Sequence, residues 1–237
     1  MWTDQALLKL SDKTAYSREE LFQALSGEKT DLSDSAFRWT LYNLLREQKI
    51  FRTDYDTYVK YKPIVLPTYR PYYSEKANTL IEKLSQQYPQ VDFVVFESVL
   101  LNEFLNQLIA QNTIYVQVEK DVSSYIFDNL QEEYAGSVLY KPGKKDFEKY
   151  WKRDCVVVLD LISQAPIAQD KRHEMTIEKM LVDIIAEKSM AETFSPSEIP
   201  FVYKNAMRSY KVDRRKMKRY AGRRGKKSQI KYAGGSD

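Results

Sequence analysis

Apolar side chains recur at helical spacing through the first fifty residues. Leu7, Leu8 and Leu10 begin one stripe, Leu21, Phe22 and Leu25 a second, and Phe37, Leu41, Leu44 and Leu45 a third. Steps of three and four put each set on one side of a helix. Ser17, with Glu20 three residues on, predicts a capping box for the second helix, and Gly27 its end. Ser33 or Asp34 can cap a third helix running to about Gln48, whose opposite arc collects Ser35, Trp39, Tyr42 and Arg46 with Arg38 on its flank. The period then changes to two. Ile50-Phe51-Arg52-Thr53 and Thr57-Tyr58-Val59-Lys60-Tyr61 alternate about Asp54-Tyr55-Asp56, which predicts a hairpin. Three helices and a hairpin are the order of a winged helix-turn-helix, expected over residues 1–62.

Pro63, Pro67 and Pro71, interspersed with Tyr69, Tyr72 and Tyr73, make residues 63–73 unsuited to a helix or central strand, because proline lacks a backbone donor. A linker is expected there. Beyond it, helical and strand patterns alternate. Strands are expected at Val91–Phe96, Thr113–Glu119, Ser137–Tyr140 and Cys155–Leu161, and helices near 74–88, 98–110, 122–134, 144–151, 176–188 and 196–209. The run Val156-Val157-Val158-Leu159 suits a strand covered on both faces, so residues 74–203 read as a mixed α/β domain. The fold class is then α/β, or α+β taken over the whole chain, with a basic helical tail over 204–237.

Charge divides the 237 residues more sharply than hydropathy does. The balance is zero over residues 1–62, −7 over 63–203, +12 over 204–231 and −1 at Asp237, for a net charge of +4. A cationic end of this density points to a polyanion, with nucleic acid foremost. Arg214, Arg215, Lys218, Arg219, Arg223 and Arg224 are its candidate phosphate ligands. The outward arc of the third helix offers donors for base edges and phosphates, and flat apolar surface for thymine methyl groups. Double-stranded DNA is therefore the expected partner of Ser35, Arg38, Trp39, Tyr42 and Arg46, with Arg52 and Lys60 on the hairpin near phosphates.

Catalytic patterns are sparse. One cysteine, Cys155, and one histidine, His173, supply too few ligands for a zinc site built from these side chains, and no metal or cofactor is expected. His173 lies between Arg172 and Glu174 with no nucleophile motif nearby and reads as a surface residue. No phosphate-cradling glycine motif occurs among the seven glycines. The chain reads as a non-enzyme. The main alternative is a metal-dependent nuclease or defence effector delivered to DNA, for which Asp160 and Glu119-Lys120 at strand ends are the conceivable set. A pure protein-interaction module, contacting partners through its acidic middle, is a third reading. No apolar run approaches the roughly 20 residues of a membrane span, and the start, Met1-Trp2-Thr3-Asp4, lacks the order of a secretion signal. A cytoplasmic protein is expected.

In the helix from Thr176, the residues Ile177, Met180, Leu181, Ile184 and Ile185 face inward, while Lys179 and Asp183, four apart, suit a surface ion pair. The segment Met175-Thr176-Ile177-Glu178-Lys179-Met180-Leu181-Val182-Asp183-Ile184 resembles the AbiEi-type antitoxins of bacterial abortive-infection systems. Their segment reads threonine, two residues, glutamate, then Arg or Lys and an apolar pair closing in Asp; here only Ile177 separates Thr176 from Glu178. The order of elements over residues 1–190 fits as well. The resemblance implies a transcriptional autorepressor whose winged helix binds the promoter of a two-gene operon. It also implies a second domain that antagonises a nucleotidyltransferase-like toxin in a type IV system, without requiring a stable complex. By the same resemblance Thr176, Glu178, Lys179 and Asp183 are motif positions with a structural role.

Overall fold

The structure is a computed structural model that describes residues 1–10, 13–62, 65–168 and 173–233. Two compact units divide it, Met1–Val65 and Leu66–Asp237. Pro63 and Arg172 lie outside the described residues.

The first unit holds α1 (Trp2–Lys9), α2 (Arg18–Glu28) and α3 (Asp34–Arg46), followed by the hairpin of β2 (Phe51–Asp54) and β3 (Thr57–Val59). A two-residue strand that periodicity does not announce, β1 (Tyr16–Ser17), adds to β3, so the antiparallel sheet runs β1-β3-β2. The capping box forms as expected: Glu20 N–H donates to Ser17 Oγ at 3.2 Å, and Ser17 N–H to the Glu20 carboxylate at 2.7 Å. Ser33 caps α3 by accepting from Ala36 N–H. Leu21, Leu25, Phe37, Leu41 and Leu44 close on Tyr16, Ile50 and Tyr58 to make the core, whereas Leu8 is exposed.

The second unit is a three-layer α/β fold. Its sheet runs β4-β5-β7-β6, with β4 (Phe93–Glu97) antiparallel to β5 (Thr113–Glu119), and β7 (Cys155–Leu161) parallel to both β5 and β6 (Val138–Tyr140). Side chains alternate between two cores. Phe93, Val95, Ile114, Val116, Val118, Val156 and Val158 meet α4 (Glu75–Gln87) and α5 (Ser123–Glu133). Val94, Phe96, Tyr115, Cys155, Val157 and Leu159 meet α6 (Lys144–Tyr150), α7 (Ile177–Ala186), the short α8 (Lys188–Ala191), α9 (Ile199–Ser209) and α10 (Arg214–Arg223); a last helix, α11 (Lys227–Ala233), places Ile230 in the same core. Helices on both faces explain the unbroken apolar run of β7. Among the described residues no helix is long and apolar enough to cross a membrane.

Two expectations change, and the helical basic end gains an anchor. From Leu66 onward the proline- and tyrosine-rich segment belongs to the second unit: Tyr69 and Tyr73 are buried there, and Tyr73 Oη donates to Val95 O at 2.7 Å and accepts from Met175 N–H at 3.0 Å. Phenol rings with a hydroxyl partner fill a core without needing a strand ladder. In place of a helix over 98–110 there is one 3-10 stretch, Ser98–Glu103. Asn102 ends it by exchanging two hydrogen bonds with the backbone of Ile109, a local bridge that competes with the helix. The basic end, finally, is anchored: Met217, Tyr220 and Ala221 of α10 are buried.

Burial pushes the phenols of Tyr69, Tyr73, Tyr115, Tyr203 and Tyr220 above their ordinary value. A raised folded value means stability is complete below the unfolded pKa and lost above it. Unfolding free energy measured in urea should therefore fall as pH rises above about 10, by about 1.4 kcal/mol per pH unit for each such tyrosine. A flat profile to pH 11 would show that these hydroxyls ionise inside the fold.

Candidate nucleic-acid interface

At 100° per residue, Phe37, Thr40, Leu41 and Leu44 occupy one arc of α3 and are buried. Phe22 meets Phe37 edge-on at 5.1 Å between centroids, fixing the rotation of the helix. That rotation leaves Ser35, Arg38, Trp39, Tyr42 and Arg46 outside, with Trp39 69% and Tyr42 61% exposed. Arg38 pairs with Asp34 one turn earlier at 2.6 Å, and the Arg46 guanidinium lies 6.0 Å from the Tyr42 ring centre. These contacts are solvent-exposed and hold the side chains only weakly. A single helix face thus presents an indole, a phenol, two guanidiniums and a hydroxyl.

The two hairpin cations are less available. Arg52 donates to the carbonyls of Asp54 (3.1 Å) and Tyr55, so it closes the turn while staying exposed. Lys60 Nζ donates to Leu10 O at 3.1 Å and sits 5.4 Å from the Tyr16 ring centre. It ties the sheet to the end of α1.

In the second unit α10 presents Arg214, Arg215, Lys218, Arg219 and Arg223 to solvent, and its N-cap Asp213 accepts from Arg215 N–H and Lys216 N–H at 3.0 Å each. Arg223 donates from Nε and Nη2 to Ser163 Oγ at 3.0 and 2.8 Å. Arg224, grouped with the phosphate ligands by charge alone, turns inward. Its side chain is 10% exposed and pairs with Glu187, with Nε 3.8 Å from Asp183. The helical phase of Met217, Tyr220 and Ala221 carries Arg224 to the buried arc.

Beneath α10 lie the four motif positions. Thr176 caps α7 by accepting from Lys179 N–H at 3.3 Å, and donates to Pro166 O at 2.9 Å. Glu178 Oε1 accepts from Asp213 N–H at 2.7 Å, which fixes the start of α10. The Lys179–Asp183 pair is no surface pair: both side chains are 0% exposed. Lys179 Nζ donates to Asp183 Oδ2 and to Gln117 Oε1, while Gln117 Nε2 donates to Asp183 Oδ2 at 3.0 Å. Tyr220 Oη donates to Asp183 Oδ1 at 2.8 Å. Burial pushes the Lys179 ammonium below its ordinary value, opposed by the adjacent Asp183. Sheet, α7 and α10 therefore meet at one satisfied ionic knot. Gln117 and Tyr220 are its members that motif reading passes over; the signals were a lone polar residue in the apolar run of β5 and a tyrosine in step with Met217.

The conceivable nuclease set is not assembled. Val118 pairs with Asp160 and Glu119 with Leu161, so Glu119 and Asp160 point to opposite faces of the sheet. Asp160 instead meets Lys141 at 2.6 Å and Ser123 at 2.8 Å. Among the described residues no three His, Cys, Asp or Glu side chains are grouped to hold a metal ion. His173 is half-buried rather than a simple surface residue, stacking on Phe93 with 3.7 Å between centroids.

A family model described as Family of unknown function (DUF6577) matches residues 36–233. Among solved structures, the crystal structure of RV2827C protein from Mycobacterium tuberculosis is 11% identical, with 99% of this chain and 78% of that chain covered and a TM-score of 0.36. No curated protein matches.

Removing one member of the knot strands a buried charge. Asp183→Asn or Lys179→Met is expected to destabilise the protein by about 3–5 kcal/mol in urea unfolding, and the double variant Lys179→Met/Asp183→Leu to recover much of that loss. Single variants as stable as the parent would mean that the pair is hydrated in solution.

Proposed function

The chain belongs to DUF6577, a family of unknown function, and for it we propose a DNA-binding transcriptional autorepressor that acts as the antitoxin of a type IV toxin-antitoxin operon. The observation that carries the DNA half is the outward face of α3, where Trp39 and Tyr42 stand exposed on a helix whose opposite arc is fully packed. Two large aromatics side by side on one exposed helix face make a patch suited to a partner, unlike singly scattered ones. Flanking Arg38 and Arg46 give that partner a negative charge, and the helix has the width to enter a major groove.

In this reading the first unit acts as a winged helix-turn-helix. Arg38, Tyr42 and Arg46 donate to base edges or phosphates, Trp39 and Ser35 complete the contact surface, and Arg52 lies at the backbone. Lys60 serves the hairpin more than the duplex, given its bond to Leu10 O. In the second unit the exposed cations of α10 contribute affinity without sequence preference.

The antitoxin half rests on the resemblance at Thr176, Glu178, Lys179 and Asp183. Thr176 caps α7, Glu178 fixes the start of α10, and Lys179 and Asp183 form the knot beneath it, which agrees with a structural role for them. The target is a nucleotidyltransferase-like toxin encoded beside this gene, countered in the cytoplasm without a stable complex.

Mobility-shift titration with the DNA upstream of the gene tests the reading. The parent chain is expected to retard it, and Arg38→Ala, Tyr42→Ala and Arg46→Ala to cost about 1–3 kcal/mol of binding each with an unchanged circular dichroism spectrum. Affinity should fall linearly on logarithmic axes as salt rises. An unaltered shift in the triple variant would remove α3 from the interface, and cleavage of the DNA in magnesium or manganese would favour the nuclease.

A further inference from the structure

A cavity of about 520 Å³ opens in the second unit beside the amino end of β5, far in chemistry from the cationic α10. Its walls include Leu108, Phe147, Trp151 and Phe194, and its acids include Glu192 and Glu198. Trp151 Nε1 donates to Thr113 Oγ1 at 2.7 Å, which fixes the indole at the strand end. The volume suits a small molecule taken whole.

The acids on this wall are not equivalent. Glu192 is paired with Lys144 at 2.8 Å, and the same lysine stands 3.8 Å from Glu148. Glu198 has no cation partner among the described residues. It is only 7% exposed, and its one hydrogen bond comes from Asn106 N–H to Oε2 at 2.8 Å. Oε1 has no donor among the described residues. The N-terminus of α9, where Glu198 sits, offsets part of the cost of keeping a carboxylate here, and an amide adds a little more. Neither supplies a counter-charge. A nearly buried carboxylate facing an aromatic-walled cavity is complementary to a ligand with a positive head and an apolar body.

We infer that this cavity is a binding site for a small organic ammonium ion, whose nitrogen donates to Glu198 and whose apolar part packs between Phe194, Phe147 and Trp151. The inference does not depend on DNA recognition. Cation and aromatic walls act together, so a neutral molecule of the same shape keeps the packing and loses the charge-assisted bond.

Phenethylamine and its neutral counterpart 2-phenylethanol are the probes. In the 237-residue chain carrying Trp2→Phe and Trp39→Phe, Trp151 is the remaining indole, and its emission reports occupancy. Phenethylamine is expected to change that emission saturably and to raise the melting temperature, with 2-phenylethanol binding about tenfold more weakly or worse. Glu198→Gln should weaken the amine about tenfold and leave the alcohol unaffected, whereas Phe194→Ala should weaken both. Equal dissociation constants for amine and alcohol, an absence of saturation, or an amine affinity untouched by Glu198→Gln would each overturn the site. Should Glu198→Gln fail to fold, the comparison of the two probes on the parent indole variant decides the matter alone.

Discussion

A lysine and an aspartate one turn apart on α7, both sealed from water, organise the second unit. Two opposite charges in such a place are tolerable only when every remaining lone pair and proton is used. Here they are: Asp183 accepts from Lys179 and Gln117 on one oxygen and from Tyr220 on the other, with Arg224 alongside. Gln117 comes from the sheet and Tyr220 from α10, so the pair can be satisfied in one assembly of the three elements. Such a knot adds little net stability compared with apolar side chains of the same volume. What it gives is a preference for one arrangement, since a rotated α10 would take the Tyr220 hydrogen bond and the Arg224 charge away from Asp183 Oδ1.

The same arrangement accounts for what the sequence conceals. Apolar periodicity finds a helix where one side faces water, as in α3, whose caps, core arc and outward arc all follow from residue order. It finds strands by alternation, and β4, β5, β6 and β7 lie close to where alternation and β-branching put them. It misjudges α7. That helix lies between the sheet and α10, so it has little side left for water, and its near-continuous Ile177, Met180, Leu181, Val182 and Ile184 already say so. Lys179 and Asp183 look like surface residues only if an outward face is assumed. The basic end misleads for the converse reason: thirteen cations over residues 204–231 mask the three buried positions Met217, Tyr220 and Ala221 that dock α10.

Charge is sorted by element in consequence. The cations that remain outside on α10 do so because the helix is fixed in phase by its buried arc, and Arg224 is excluded from them by that phase alone. Acids collect elsewhere, on the wall of the cavity with Glu148, Glu192 and Glu198, where a single lysine, Lys144, serves the first two. One unit thereby carries surfaces of opposite sign, suited to ligands of opposite sign. The outward face of α3, in the other unit, is different again: aromatic, with its two arginines engaged only by exposed contacts.

The docking of α10 also bears on how the protein survives in a cell. Nine of the fourteen residues 214–227 are Lys or Arg, the targets of a trypsin-like protease. Cleavage requires the chain to be drawn out as an extended strand, and Glu178 at one end with Tyr220 and Arg224 at the other hold Arg214–Arg223 in a helix. Digestion must then wait for local opening of α10. The segment most vulnerable by composition is sheltered by the free energy that docks Met217, Tyr220 and Ala221 into the second unit.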